Sequence, residues 1–289
     1  MTARMNVGMN AGTNGGTNGG MNAAVNAGTN AGTNAAPNNA PAAQDLWIRR
    51  YRPAPPDTDL SLVCLPHAGG SASYFRPLST ALAAVADVLP VQYPGRQDRR
   101  AEPPITSIPR LADEILTVLE SLPRRRLVLF GHSMGACVAF EVARRIERDS
   151  SLELVGLVAS GRTAPPKLRD RGVRSMDDNG VIAEIRRLNG TDDRLLLDDD
   201  IIRMIMPAIR GDYTAVESYR YEPGPRLRCP VSVLVGDSDP QVTLAEAEEW
   251  REHTDGDFTL RAFPGGHFYL SEQNDQVAKA LTEDLARFS

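Results

Sequence analysis

The stretch Leu127-Val128-Leu129-Phe130-Gly131-His132-Ser133-Met134-Gly135-Ala136 decides the fold. Its four leading apolar residues read as a strand buried on both faces. The run Ala136–Arg148 that follows has a helical pattern. Between the two lies Gly131-x-Ser133-x-Gly135, whose glycines permit a tight, strained turn where side chains would collide with neighbouring backbone. Strand, turn and helix in that order lift the Ser133 hydroxyl to the carboxyl end of a sheet, at the start of a helix. Ser133 is therefore the candidate nucleophile. Cys137, one helical turn further in, reads as core.

Outward from that turn, short β-branched runs alternate with longer amphipathic segments. Further strands are expected at 60–65, 88–93, 154–158, 231–235 and 258–263, and helices around 75–85, 107–122, 134–148, 243–253 and 271–288. Continuous apolar strands separated by helices predict an α/β fold with a mostly parallel central sheet flanked by helices. One interval breaks the rhythm. Arg162 to Pro225 contains no convincing strand, but Ile182, Ile185 and Leu188, then Ile202, Ile205, Met206 and Ile209, recur at helical spacing. A helical lid inserted at about 162–225 is expected, with two plain packing helices as the alternative.

A serine hydroxyl is a poor nucleophile at neutral pH without a base and a carboxylate to orient that base. Four histidines are available. His267, in Pro264-Gly265-Gly266-His267-Phe268, follows the last expected strand and falls at the same sheet edge as Ser133. His132 is expected to pack structurally, His253 to be solvated at the end of a charged helix, and His67 to shape a loop. The carboxylate is sought after the strand at 231–235, in Gly236-Asp237-Ser238-Asp239-Pro240. There Asp239 can reach back to His267 while Asp237 fixes the turn. The order Ser133, Asp239, His267 is that of the α/β-hydrolase fold and differs from the two common serine-protease orders. The oxyanion donors are expected to be the backbone N–H groups of Met134, directly after the nucleophile, and of Ala68 in Pro66-His67-Ala68-Gly69-Gly70.

Composition narrows the classes further. The 289 residues carry 37 acidic against 32 basic side chains, a net charge of −5, the opposite of the balance expected for non-specific nucleic-acid binding. No run reaches the roughly 18 to 20 apolar residues of a membrane span, and the N-terminus has no apolar signal region. Three cysteines without a C-x-x-C pair fit a reducing cytoplasm, and neither metal-ligand spacing nor a phosphate loop is present. Residues 1–44 differ from the rest: Asn recurs every four positions from Asn6 to Asn38 amid Gly, Thr and Ala. A disordered tail is expected there, ahead of one α/β domain over 45–289.

Taken together, Leu65-Pro66-His67-Ala68-Gly69-Gly70-Ser71-Ala72, Gln92-Tyr93-Pro94-Gly95-Arg96, Phe130-Gly131-His132-Ser133-Met134-Gly135-Ala136, Gly236-Asp237-Ser238-Asp239 and Pro264-Gly265-Gly266-His267-Phe268 form a recognisable set. Over 45–289 the chain resembles the type II thioesterases that accompany modular polyketide and non-ribosomal peptide synthases. The resemblance implies a monomeric hydrolase without a cofactor that removes stalled or wrongly loaded acyl groups from the phosphopantetheine arms of acyl or peptidyl carrier proteins. The triad alone leaves a carboxylesterase or an acyltransferase of the same fold open. Carrier proteins are generally acidic, so Arg96, Arg99 and Arg100, or Arg124, Arg125 and Arg126, are candidate docking patches.

Overall fold

The computed structural model describes residues 43–123, 126–188 and 198–288. The Asn repeat and both Arg124 and Arg125 lie outside the described residues. In chain order, the first half comprises α1 (Ala43–Trp47), β1 (Leu60–Leu65), α2 (Arg76–Ala81), β2 (Asp87–Pro90), α3 (Ile108–Glu120), β3 (Arg126–His132), α4 (Met134–Asp149) and β4 (Glu153–Ser160). The second half comprises α5 (Asp178–Leu188), α6 (Asp199–Ser218), β5 (Val231–Gly236), α7 (Leu244–Glu248), β6 (Phe258–Phe263), α8 (Tyr269–Glu272) and α9 (Asn274–Phe288).

The six strands form one parallel sheet in the order β2-β1-β3-β4-β5-β6. The chain runs outward from β1 to β2 and then returns to the other side of β1 as β3. Connections leaving the carboxyl ends of β1 and β3 therefore diverge, opening a crevice at the switch point of the sheet. All the strand runs read from the sequence are present. The run at 88–93 forms a shorter strand that begins one residue early and stops at Pro90. Beyond it Val91 turns to an antiparallel bridge with Ile48, and the Gln92 N–H donates to the Trp47 carbonyl at 2.7 Å.

Alternation along the strands sends side chains into two apolar layers. Val63, Leu65, Leu127 and Leu129 face a layer with Trp47, Ile115 and Val138, from α1, α3 and α4. Leu62, Cys64, Val128 and Phe130 face Leu78, Val277 and Leu281, from α2 and α9. Burial on both faces is why these strands read as continuous apolar runs. Local signals set the helix starts: Ser107 accepts from the Arg110 N–H ahead of α3, and Thr243 and Glu246 form a capping box on α7. The expected helix at 75–85 is instead a 3₁₀ turn over Ala72–Phe75 and then α2.

Across 162–225, α5 and α6 are present and the described residues contain no strand. Val173, Val181, Ile182, Met206 and Ile209 bury one another in a small apolar cluster of their own. Pro207 lies inside α6, where it removes one intrahelical hydrogen bond.

Candidate active site

The turn after β3 is drawn tightly. Ser133 has φ 55° and ψ −115°, a left-handed backbone that side chains rarely adopt, at a cost of about 1–3 kcal/mol. Its N–H donates to the Ser160 carbonyl at 2.8 Å, which fixes the turn to the end of β4. Gly135 cannot be larger: a Cβ there would lie 2.0 Å from the Leu65 carbonyl oxygen. The start of α4 thereby packs directly against the end of β1.

Three strand ends converge on the serine. The Ser133 hydroxyl stands 2.9 Å from Nε2 of His267, after β6, and Nδ1 of His267 lies 2.8 Å from Oδ2 of Asp239, after β5. The other oxygen of Asp239 accepts from the Gln241 N–H at 2.7 Å. His267 and Asp239 are both buried. A carboxylate at Nδ1 holds the proton on that nitrogen, so the Nε2 lone pair faces the hydroxyl and can accept its proton. Asp237 is exposed and accepts from the Gly265 N–H at 3.1 Å, tying the loops after β5 and β6 together.

Ala68 and Met134 line the same cleft as Ser133 and His267. Met134 is the first residue of α4, so its N–H has no intrahelical acceptor. Neither its N–H nor that of Ala68 has a protein acceptor among the described residues. Two backbone donors without a protein acceptor among the described residues thus belong to residues lining the cleft that holds the serine. No three metal-ligating side chains converge among the described residues.

The remaining histidines occupy distinct settings. His132 is fully buried, with Nδ1 2.9 Å from the Ser160 hydroxyl, and burial holds its pKa well below the ordinary histidine value. His67 packs edge-on against Tyr74 and Phe268; burial and then the charges of His267 and Arg96 lower its pKa to about 3. His253 departs from expectation. It is half-buried among the rings of Phe140, Tyr221 and Trp250, and burial lowers its pKa. Its charged neighbours imply a solvated helix end, but the chain tightens there into a 3₁₀ turn that sets the ring against residues distant in sequence.

The expected docking patch at Arg96, Arg99 and Arg100 is also corrected. Arg96 is 6% exposed and forks onto Asp212 of α6 at 2.7 and 2.9 Å; Arg99 is 5% exposed, forks onto Glu102 and stacks on Trp47. Both guanidinium groups are engaged in internal structure, leaving Arg100 alone at the surface. Arg126 is half-buried, faces Asp59 and Glu153, and donates to the Phe288 carbonyl. Asp212 was not legible as a site residue: it accepts from the Gly69 N–H at 2.7 Å as well as from Arg96. The only sequence signal for it is the Tyr93-Pro94-Gly95-Arg96 motif that supplies its partner.

Comparison with known proteins agrees with this geometry. A family model described as a thioesterase domain matches residues 61–285. Thioesterase PikA5 of Streptomyces venezuelae is 50% identical over 241 residues, covering 83% of this chain and 85% of that protein. The gramicidin S biosynthesis protein GrsT of Aneurinibacillus migulanus is 34% identical over 227 residues, covering 78% and 89%. Among solved structures, the type II thioesterase BorB from the borrelidin biosynthetic cluster superposes with a TM-score of 0.78 at 52% identity, covering 83% of this chain and 98% of BorB. A family match across the whole sheet, with relatives matched over most of their length, makes this chain a member of the thioesterase family and a thioester hydrolase of the α/β-hydrolase fold.

Proposed function

We propose that this chain is a serine thioesterase that hydrolyses acyl groups from the phosphopantetheine arm of acyl or peptidyl carrier proteins, clearing stalled or misprimed modules of a polyketide or peptide synthase. The observation that carries the mechanism is the relay from Asp239 through His267 to Ser133, at 2.8 and 2.9 Å. Ser133 attacks the thioester carbonyl while His267 takes its proton, and Asp239 steadies the imidazolium that forms. The N–H groups of Ala68 and Met134 hold the developing oxyanion. Collapse of the tetrahedral intermediate expels the pantetheine thiol, which leaves with the proton held by His267. Water then attacks the acyl-serine with His267 again as base, releasing the free acid and restoring the serine.

Such a cycle uses only the chain's own side chains and water, so no cofactor enters it. Type II thioesterases such as BorB, and biosynthetic proteins such as GrsT, support carrier-bound thioesters as the substrate class. The helices of 162–225 form the lid over the acyl chain in this reading, and the chain works as a monomer in the cytoplasm. No helix among the described residues is long and apolar enough to cross a membrane. The test is acid release from acetyl-, propionyl- and longer acyl-carrier proteins by wild type and Ser133→Ala. Ser133-dependent release across short chains supports the reading. Faster turnover of small oxygen esters than of carrier thioesters overturns it in favour of a carboxylesterase.

A further inference from the structure

The inserted helix α6 grips the loop that carries Ala68. Asp212, 1% exposed, accepts from the Gly69 N–H at 2.7 Å through the same oxygen that takes a hydrogen bond from Arg96. Arg96 in turn donates to the Gly70 carbonyl at 3.0 Å, so two successive residues of the loop are held by one buried ion pair. Packing adds to this. Gly69 has φ +75°, and a Cβ there would lie 2.8 Å from Cγ1 of Ile209, one turn before Asp212 on α6. The bond to Asp212 restrains the Ala68–Gly69 peptide, a rigid unit, at its N–H end. The His67–Ala68 peptide, which carries the Ala68 N–H, is held in turn by the Gly70 N–H donating to the His67 carbonyl at 2.9 Å, so the ion pair and this turn together set its orientation.

We propose that Asp212 is a positioning residue for the oxyanion hole. From the inserted helix, braced by Arg96, it holds the Ala68 N–H where the tetrahedral oxygen forms. The inference rests on the reading of Ala68 as an oxyanion donor. It ties transition-state stabilisation to the seating of α6: when that helix leaves the loop, the Ala68 donor keeps only the turn within the loop, while Ser133, His267 and Asp239 keep all of their partners.

The test compares wild type, Asp212→Ala and Asp212→Asn, each normalised by fluorophosphonate titration of Ser133. Two quantities are read: kcat and KM on an acetyl thioester of N-acetylcysteamine, and the inhibition constant of an alkylboronic acid, whose serine adduct is tetrahedral and anionic. Asp212→Ala is expected to lower kcat toward the about 10²–10³-fold cost of losing one oxyanion donor. Boronate affinity should fall by the same factor, with KM little changed. Asp212→Asn, whose amide oxygen still accepts from Gly69, should retain part of both. Wild-type kcat and boronate affinity per titrated site in Asp212→Ala would overturn the proposal, as would loss of kcat without loss of boronate affinity. If Asp212→Ala does not fold, Asp212→Asn and Arg96→Lys carry the same comparison with smaller parallel losses. The boronate reads the hole whatever the natural substrate. Failure of wild type on carrier thioesters, with boronate affinity still dependent on Asp212, would remove the proposed substrate and leave this inference standing.

Discussion

Nε2 of His267 lies 2.9 Å from the Ser133 hydroxyl, although 134 positions separate the two residues in the chain. That distance permits direct proton transfer. Ser133→Ala should therefore lower kcat by about 10⁴- to 10⁶-fold, with the melting temperature little changed, since alanine keeps the Cβ that strains the turn. Single-turnover acylation by a carrier-bound acetyl group checks this, and residual acyl-enzyme in the variant would contradict it.

Asp239 and Asp237 stand two residues apart and should respond differently. Asp239→Asn removes the carboxylate at Nδ1 of His267 and should cost about 10⁴-fold in kcat, as loss of the corresponding tautomer control does elsewhere. Asp237→Asn disturbs only an exposed loop tie, worth about 1 kcal/mol of stability, and should leave turnover near wild type. Steady-state kinetics with denaturant melts separate the two effects, and equal kinetic losses would overturn the assignment.

Protonation of His67 and His132 should weaken the fold in acid. His67 has a pKa of about 3 in the folded chain, whereas an unfolded histidine titrates near about 6.5. Below pH 6.5 the unfolded chain then binds more protons than the folded one, so stability is full above that pH and is lost as the pH falls. Each such histidine contributes a slope of about 1.4 kcal/mol per pH unit within the window. His132, also buried neutral, acts in the same direction. Urea midpoints from pH 7 to pH 4 should decline, and His67→Gln should flatten the decline; an unchanged slope would contradict the buried neutral imidazole.

The three cysteines should be silent in the native protein. Cys64, Cys137 and Cys229 are buried, and burial raises the pKa of each thiol. At pH 8 none should react with a disulfide reagent over the time in which all three react in denaturant. Rapid labelling of Cys137 with loss of activity would place a reactive thiol beside the serine.

Much of the framework could be read from sequence because its signals are local. A strand buried on both faces announces itself as an apolar run, and Leu60–Leu65 and Phe258–Phe263 match their expected bounds. Ser133, Asp239 and His267 each follow a strand, so topology alone brings them to one edge. Arg96 and Arg99 read as surface because an isolated arginine run gives no hint of its acceptors. The partner of Arg96 lies 116 residues away, on a helix whose register against the loop is settled by tertiary packing. His253 reads as solvated for the same reason: its aromatic neighbours Phe140 and Tyr221 arrive from distant parts of the chain.

The position of Pro207 divides α6 into two stretches with different obligations. After it come Asp212, Glu217, which accepts from the Val173 and Arg174 N–H groups, and Tyr219, whose hydroxyl meets Glu141 of α4. Before it, Ile202, Ile205 and Met206 pack within the small cluster around Val181 and Ile182. Behind the proline, Tyr213, Val216 and Glu217 also line the cleft beside Ser133, which the stretch ahead of it does not. The stretch behind the proline therefore carries two duties at once, walling the cleft and holding the loop after β1, so a change in the wall reaches the loop as well.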